Sequence, residues 1–178
     1  AIVQSASAPR PDAILLEPVS TTGLPRVAEA AVAAGIAWVV SNAKVDYLTA
    51  LRRNAKVPVF MVSQDHTEVG RIQGRQIAAI LPNGGSVLYL RGPASNSLAT
   101  LRTEGLEGTK PRNVEIKALR IQWTADSAYK AVCSWLSLST VRAQDTQLIL
   151  SQNADFIFGA IKAFHATAEP VRSNSLAL

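Results

Sequence analysis

Residues 57–92, VPVFMVSQDHTEVGRIQGRQIAAILPNGGSVLYLRG, narrow the architectures open to this chain more than any other stretch. An apolar run from Val57 to Val62, too short for a helix and rich in β-formers, predicts a buried strand. After a polar break at 63–66, Val69, Ile72, Ile77 and Ile80 recur with Arg71, Arg75 and Gln76 between them, the pattern of an amphipathic helix. Pro82-Asn83-Gly84-Gly85 stops it, Ser86 to Leu90 reads as a second apolar strand, and Gly92-Pro93 breaks the chain at that strand's carboxyl end. Strand, helix and strand in so short a span form a right-handed parallel crossover, and ligands of such sheets gather where strands end.

The rest of the chain repeats this alternation. Strands are expected at Ala13–Leu16, Ile36–Val40, Val114–Ile121 and Thr146–Leu150. Helices are expected through Leu24, Val27, Ala28 and Ala31, capped by Ser20, Thr21 or Thr22; over Asp46–Asn54; through Leu98, Leu101 and Leu106; through Ala128, Val132, Trp135 and Leu136; and over Phe156–Ala166. About six strands alternating with about six helices predict a doubly wound α/β fold with parallel sheets. Residues 1–12 read as a loop or a frayed helix end, and the polar tail from Glu169 reads as irregular.

Composition removes several function classes. The chain has 178 residues, 48% of them hydrophobic, enough for one domain or two small ones. No apolar run approaches the roughly 20 residues of a membrane helix, and residues 1–20 lack the charged start and apolar centre of a signal peptide. The net charge of +5 is spread over Arg52, Arg53, Lys56, Arg71, Arg75, Lys110, Arg112 and Lys117 without aromatic interleaving. A nucleic-acid surface would cluster those charges, so no nucleic-acid partner is expected. The single cysteine, Cys133, lies beside Trp135 and Leu136 and reads as a packing residue.

Catalytic and cofactor patterns are missing. His66 and His165 are the two histidines, neither lies in a nucleophile motif, and no Gly-x-Ser-x-Gly occurs. No cysteine pair, close histidine pair or carboxylate cluster offers a metal site. Gly70 and Gly74 sit inside a helical pattern, where they suit close helix packing, and the Gly92-Pro93 loop lacks both the dinucleotide glycines and the P-loop lysine. Neither an enzyme nor a cofactor is therefore expected.

What remains is a set of polar and aromatic residues after strands: Glu17, Ser20, Asn42, Asp65, Trp123 and Asn153, with Arg102 about one turn into its helix. Amides and carboxylates exchange several hydrogen bonds, arginine offers a five-donor fork, and an indole covers apolar C–H surface. Those groups suit a polyhydroxylated ring. Each also has a plainer use: Asn42 and Ser20 as helix caps, Trp123 as packing between lobes, Arg102 as a surface ion-pair partner.

The ordered series Asp12–Pro18, Ala34–Val40, Val62–Gly70, Gly84–Gly92, Arg102–Leu106 and Ser151–Asn153 ahead of Gly159-Ala160 resembles the type I periplasmic sugar-binding proteins over residues 12–164. The resemblance implies two doubly wound lobes joined by three hinge strands, closing on a sugar or polyol and delivering it to the membrane permease of an ABC transporter. Lobe boundaries carried over from the family are 1–63 for part of the first lobe, 64–168 for the second and 169–178 for a tail. Asn42 falls where the family often has a sugar-binding aspartate, Arg102 and Asn153 on its sugar-binding arginine and asparagine, and Trp123 near a stacking aromatic. Ser20 and Asp65 complete the expected ligand set.

Ala154 and Ala43 stand where the family has an acidic and a basic residue. The family's first strand and helix would precede Ala1 and its returning strands would follow Leu178, so an incomplete first lobe is expected, with association or poor order around residues 1–12 and 168–178. The implied location is the periplasm, or the outer face of a single-membrane bacterium by a lipid anchor. The alternative is the effector core of a lactose-repressor-type regulator, which shares this architecture and would need a DNA-binding headpiece upstream.

Overall fold

The computed structural model describes residues 9–18, 22–142 and 145–167. Ser20, residues 1–8 and the tail at 168–178, for which a cap, a loop and irregular structure were expected, lie outside them. The described residues alternate strand and helix throughout: β1 (Ala13–Leu16), α1 (Pro25–Ala33), β2 (Ala37–Ser41), α2 (Leu48–Arg53), β3 (Val59–Val62), α3 (His66–Ile80), β4 (Gly85–Arg91), α4 (Ser97–Glu107), β5 (Val114–Arg120), α5 (Ala125–Leu136), β6 (Leu148–Ser151) and α6 (Ala154–Ala166). They form two three-stranded parallel sheets, ordered β1-β2-β3 and β5-β4-β6, as the doubly wound α/β reading requires. Two compact units result, one of residues up to Asp65 with Ser95–Leu98, the other of His66–Ala94 and the chain from Ala99 onward.

In the first unit, Trp38, Val40 and Val59 turn one sheet face toward Ala28 and Ala31 of α1 and Leu48 of α2. The alternate positions face away, because side chains in a strand change face at every residue. Leu15 pairs in register with Val39, and Val39 with Phe60, on that other face, where Leu15 is 70% and Phe60 42% exposed. The expectation of a wholly buried strand at Val57–Val62 is thus corrected: among the described residues β3 lies at the edge of its sheet, and of its four residues Val59 alone is buried.

The start of α1 also departs from expectation. Its N-cap is Leu24, in the left-handed region at φ 68°, with no side-chain cap, so Thr22 does not fill that role. Pro25 opens the helix itself, its fixed φ being preset for the first helical position. Leu24 and Val27 are exposed, and the two alanines alone are buried along the helix.

The second unit buries both faces of its sheet. Val87 and Tyr89 of the central strand β4 join Ile77 of α3 and Leu106 of α4 on one side, while Leu88 and Leu90 join α5 and α6 on the other. That is why β4 reads as a continuous apolar run, the usual composition of a strand covered on both faces. Glycines bring the helices close: a Cβ at Gly70 of α3 would fall on the Arg102 carbonyl of α4, and one at Gly105 on the Thr67 carbonyl. On the other side, a Cβ at Gly159 of α6 would strike Ala125 and Ala128 of α5.

Candidate functional site

The polar residues singled out in the second unit collect where β4, β5 and β6 end. Asn153 is the N-cap of α6, its Oδ1 accepting the backbone N–H of Asp155 at 3.0 Å. Ser151 fixes the approach to this cap, since its hydroxyl donates to the Asn153 carbonyl and accepts from the Asn153 N–H. Arg102, midway along α4 rather than in its first turn, donates through Nη1 to the Gln152 carbonyl at 2.5 Å. The guanidinium therefore sits one residue from Asn153. Its Nε–H is buried without a hydrogen-bond partner, and burial works against its positive charge, lowering its pKa.

Trp123 follows β5. It stacks on Phe156 of α6, with ring centroids 5.4 Å apart and planes 20° from parallel. A side chain at Gly92 would collide with the indole, so Gly92 leaves room for it at the end of β4. Part of the indole surface is thus committed to packing inside this unit, a use that had been expected between lobes. Next to β6, Gln73, Ser151, Asn153, Ile157 and Phe158 line a cavity of about 360 Å³.

Two glutamines organise this rim, and sequence reasoning passed over both. Gln152, 5% exposed, spreads its amide over several elements: Oε1 accepts from the Gly92 N–H at 2.9 Å, and Nε2 faces Tyr89 Oη, the Ala99 carbonyl and Thr103 Oγ1 at 2.6, 2.9 and 3.2 Å. Gln73 donates to the Ser151 carbonyl at 2.8 Å. The signal for Gln152 was its place straight after an unbroken apolar strand. For Gln73 it was helical spacing, three residues after Gly70 and four before Ile77 on the buried side of α3.

In the first unit, Asn42 follows β2 with φ 63°, and its Nδ2 donates to Glu17 Oε1 at 3.0 Å. Its backbone N–H bonds the Val62 carbonyl, tying the ends of β2 and β3. Asn42 is not a helix cap; Tyr47 holds that position for α2. Asp65 is exposed just ahead of α3. A cavity of about 570 Å³ in this unit lies toward the opposite ends of its strands among Val32, Tyr47, Leu51 and Val57, away from Glu17 and Asn42.

Of the expected set, then, Arg102, Trp123 and Asn153 share one rim of the second unit, Asn42 and Asp65 belong to the first, and Ser20 is outside the described residues. His66, 4% exposed, opens α3 as a helix-start residue, and His165 is exposed. Among the described residues no group of three His, Cys, Asp or Glu side chains could hold a metal ion, and no helix is long and apolar enough to cross a membrane.

Comparison with known proteins gives one direction. A galactofuranose binding protein superposes with a TM-score of 0.76 at 20% identity, over 93% of this chain and 55% of its own. An ABC transporter periplasmic solute binding protein of Actinobacillus succinogenes 130z, with bound D-allose, gives 0.75 at 19% identity over 93% and 56%. A Rhizobium meliloti protein whose name provisionally assigns it rhizopine binding is 23% identical over 167 residues, 91% of this chain and 52% of its own length. The chain thus spans about half the length of the relatives it matches. The family model described as the periplasmic binding protein domain matches residues 1–171, and the chain belongs to that family, whose members bind rather than catalyse.

Proposed function

We propose that this chain is part of a solute-binding component of an ABC-type importer and that its solute is a sugar or polyol. The observation that carries the reading is the arginine at the second unit's rim: a half-buried guanidinium held on the Gln152 carbonyl beside the capping amide of Asn153. The half-buried guanidinium carries more N–H donors than the Gln152 carbonyl uses, and the hydroxyl oxygens of a solute supply acceptors for its outer nitrogens. Arg102 and Asn153 take hydroxyls, and the part of Trp123 left free by Phe156 covers an apolar ring face.

Asn42, Asp65 and Ser20 complete the ligand set by position. The related protein with bound D-allose, and one of Bacillus halodurans C-125 with bound myo-inositol, support a polyhydroxylated solute of this size. Residues 1–63 form part of the first lobe and residues 64–168 the second, and capture is by hinge closure, since a ligand shifts such an equilibrium only through contacts made in one state. The partner is a membrane permease, and the location is the periplasm or, with a lipid anchor, the outer face of a single-membrane bacterium.

A thermal-shift screen of the complete protein against furanoses, hexoses and inositols tests the reading. A rise in unfolding temperature with at least one of them is expected, because a ligand that binds only the folded state stabilises it. No rise with any sugar or polyol, together with specific retention of duplex DNA, would reject it.

A further inference from the structure

The buried amide of Gln152 bonds to several elements of the second unit at once. Its Oε1 accepts from Gly92 at the end of β4, and its two Nε2 hydrogens are shared among Tyr89, Ala99 and Thr103. Its backbone is used as well: the N–H donates to the Leu90 carbonyl, and the carbonyl receives Arg102 Nη1. One residue therefore joins the end of β4, the first half of α4 and the end of β6, and its carbonyl is the group on which the guanidinium rests. Thr103, the neighbour of Arg102, is bonded both to the Gln152 amide and to the Ala99 carbonyl. The amide thus sets where α4 presents Arg102.

We infer that Gln152 is the positioning residue of the solute site: it acts on the ligand through Arg102 and makes no contact of its own. The inference rests on the sugar-binding reading above. It separates two roles that burial alone would confuse. A glutamine that only fills space could be replaced by methionine, nearly its equal in volume, at little cost to function. A glutamine that orients Arg102 could not, because methionine leaves the Gly92 N–H without its acceptor, removes the amide's bonds to Tyr89, Ala99 and Thr103, and frees the α4–β6 junction to shift.

The test is a cycle of four complete proteins: parent, Gln152→Met, Arg102→Ala and the double variant. Each is measured by calorimetry against the sugar that gives the largest thermal shift. Gln152→Met should weaken binding about tenfold or more in the parent background, yet change little once Arg102 is gone, since neighbours acting through one contact are not additive. Equal losses in both backgrounds, or none in the parent, would overturn the inference. If Gln152→Met does not fold, Thr103→Val, which removes one bond to the amide, takes its place in the cycle with the same expected pattern.

A second readout needs no sugar. In the ligand-free parent the buried Arg102 Nε–H should give a sharp, slowly exchanging nitrogen-bound proton signal, and in Gln152→Met it should broaden or exchange faster. An unchanged signal contradicts the positioning role. Should no sugar bind the parent, the function proposed above fails, and this signal still decides the role of Gln152.

Discussion

Gly70 of α3 meets the backbone carbonyl of Arg102 on α4 with no room between them for a side chain. Gly105 meets the Thr67 carbonyl in the same crossing, so two glycines set the depth at which the arginine's helix lies. A glycine that looks like a weak spot in a helix is here the reason the guanidinium reaches the end of β6. Gly70→Ala should therefore lower stability by about 1–3 kcal/mol through overpacking, despite the better helix propensity of alanine. Urea unfolding measures it; a gain in stability would show that the helices do not touch there.

Asn153 serves as a cap and is assigned a ligand contact, and the two can be separated. Asn153→Ala should cost about 1 kcal/mol of stability through the lost cap. Asn153→Asp caps equally well but has no amide donor, so it should unfold with the parent while binding the solute more weakly. Parallel denaturation and titration of the two variants check this. An Asp variant that binds like the parent would leave Asn153 a cap and nothing more.

The Trp123–Phe156 stack anchors the indole. Phe156 is fully buried, and Phe156→Ala should cost about 3–5 kcal/mol while leaving Trp123 without the ring beneath it. The expected signature is a red shift of tryptophan emission before global unfolding begins. Emission unchanged in position would mean that the indole is held by other contacts.

Tyr89 carries a pH signature. Burial raises the pKa of its phenol above the usual value of 10.0, while hydrogen bonds from Thr103 and Gln152 oppose the rise. A raised pKa means that the folded state keeps its proton longer than the unfolded chain does. Its contribution is therefore fully present below the unfolded pKa and is lost as pH climbs from about 10 through the higher folded value. Unfolding midpoints taken from pH 8 upward should fall more steeply in the parent than in Tyr89→Phe. Parallel curves would show that the phenol does not titrate differently on folding.

Much of the architecture was legible because its signals are local. Apolar runs at β1, β2, β4 and β6, and the branched apolar positions of the less regular β5, with glycine, proline or small polar residues between elements, announce parallel strands between helices. The errors fell where the outcome depends on what lies across the sheet. Val59–Val62 has the composition of a buried strand, but burial also needs neighbours on both faces, and composition cannot report those. The α1 cap was missed because Pro25 starts the helix without a side-chain acceptor. At the rim, Arg102, Trp123 and Asn153 could be named from their places after strands. Gln152 could not be ranked above its neighbours, because its importance lies in bonds to residues 49 to 63 positions away, which no local pattern displays.

The account stands on Arg102 as the group that takes the solute's hydroxyls, and calorimetry of the complete protein asks this most directly. With the sugar or polyol that stabilises the parent, Arg102→Ala should bind about ten- to a hundredfold more weakly, the loss of charge-assisted hydrogen bonds worth about 1.5–3 kcal/mol. Unfolding in urea should show that the variant is still folded. An Arg102→Ala protein that binds the same solute as tightly as the parent would contradict the account.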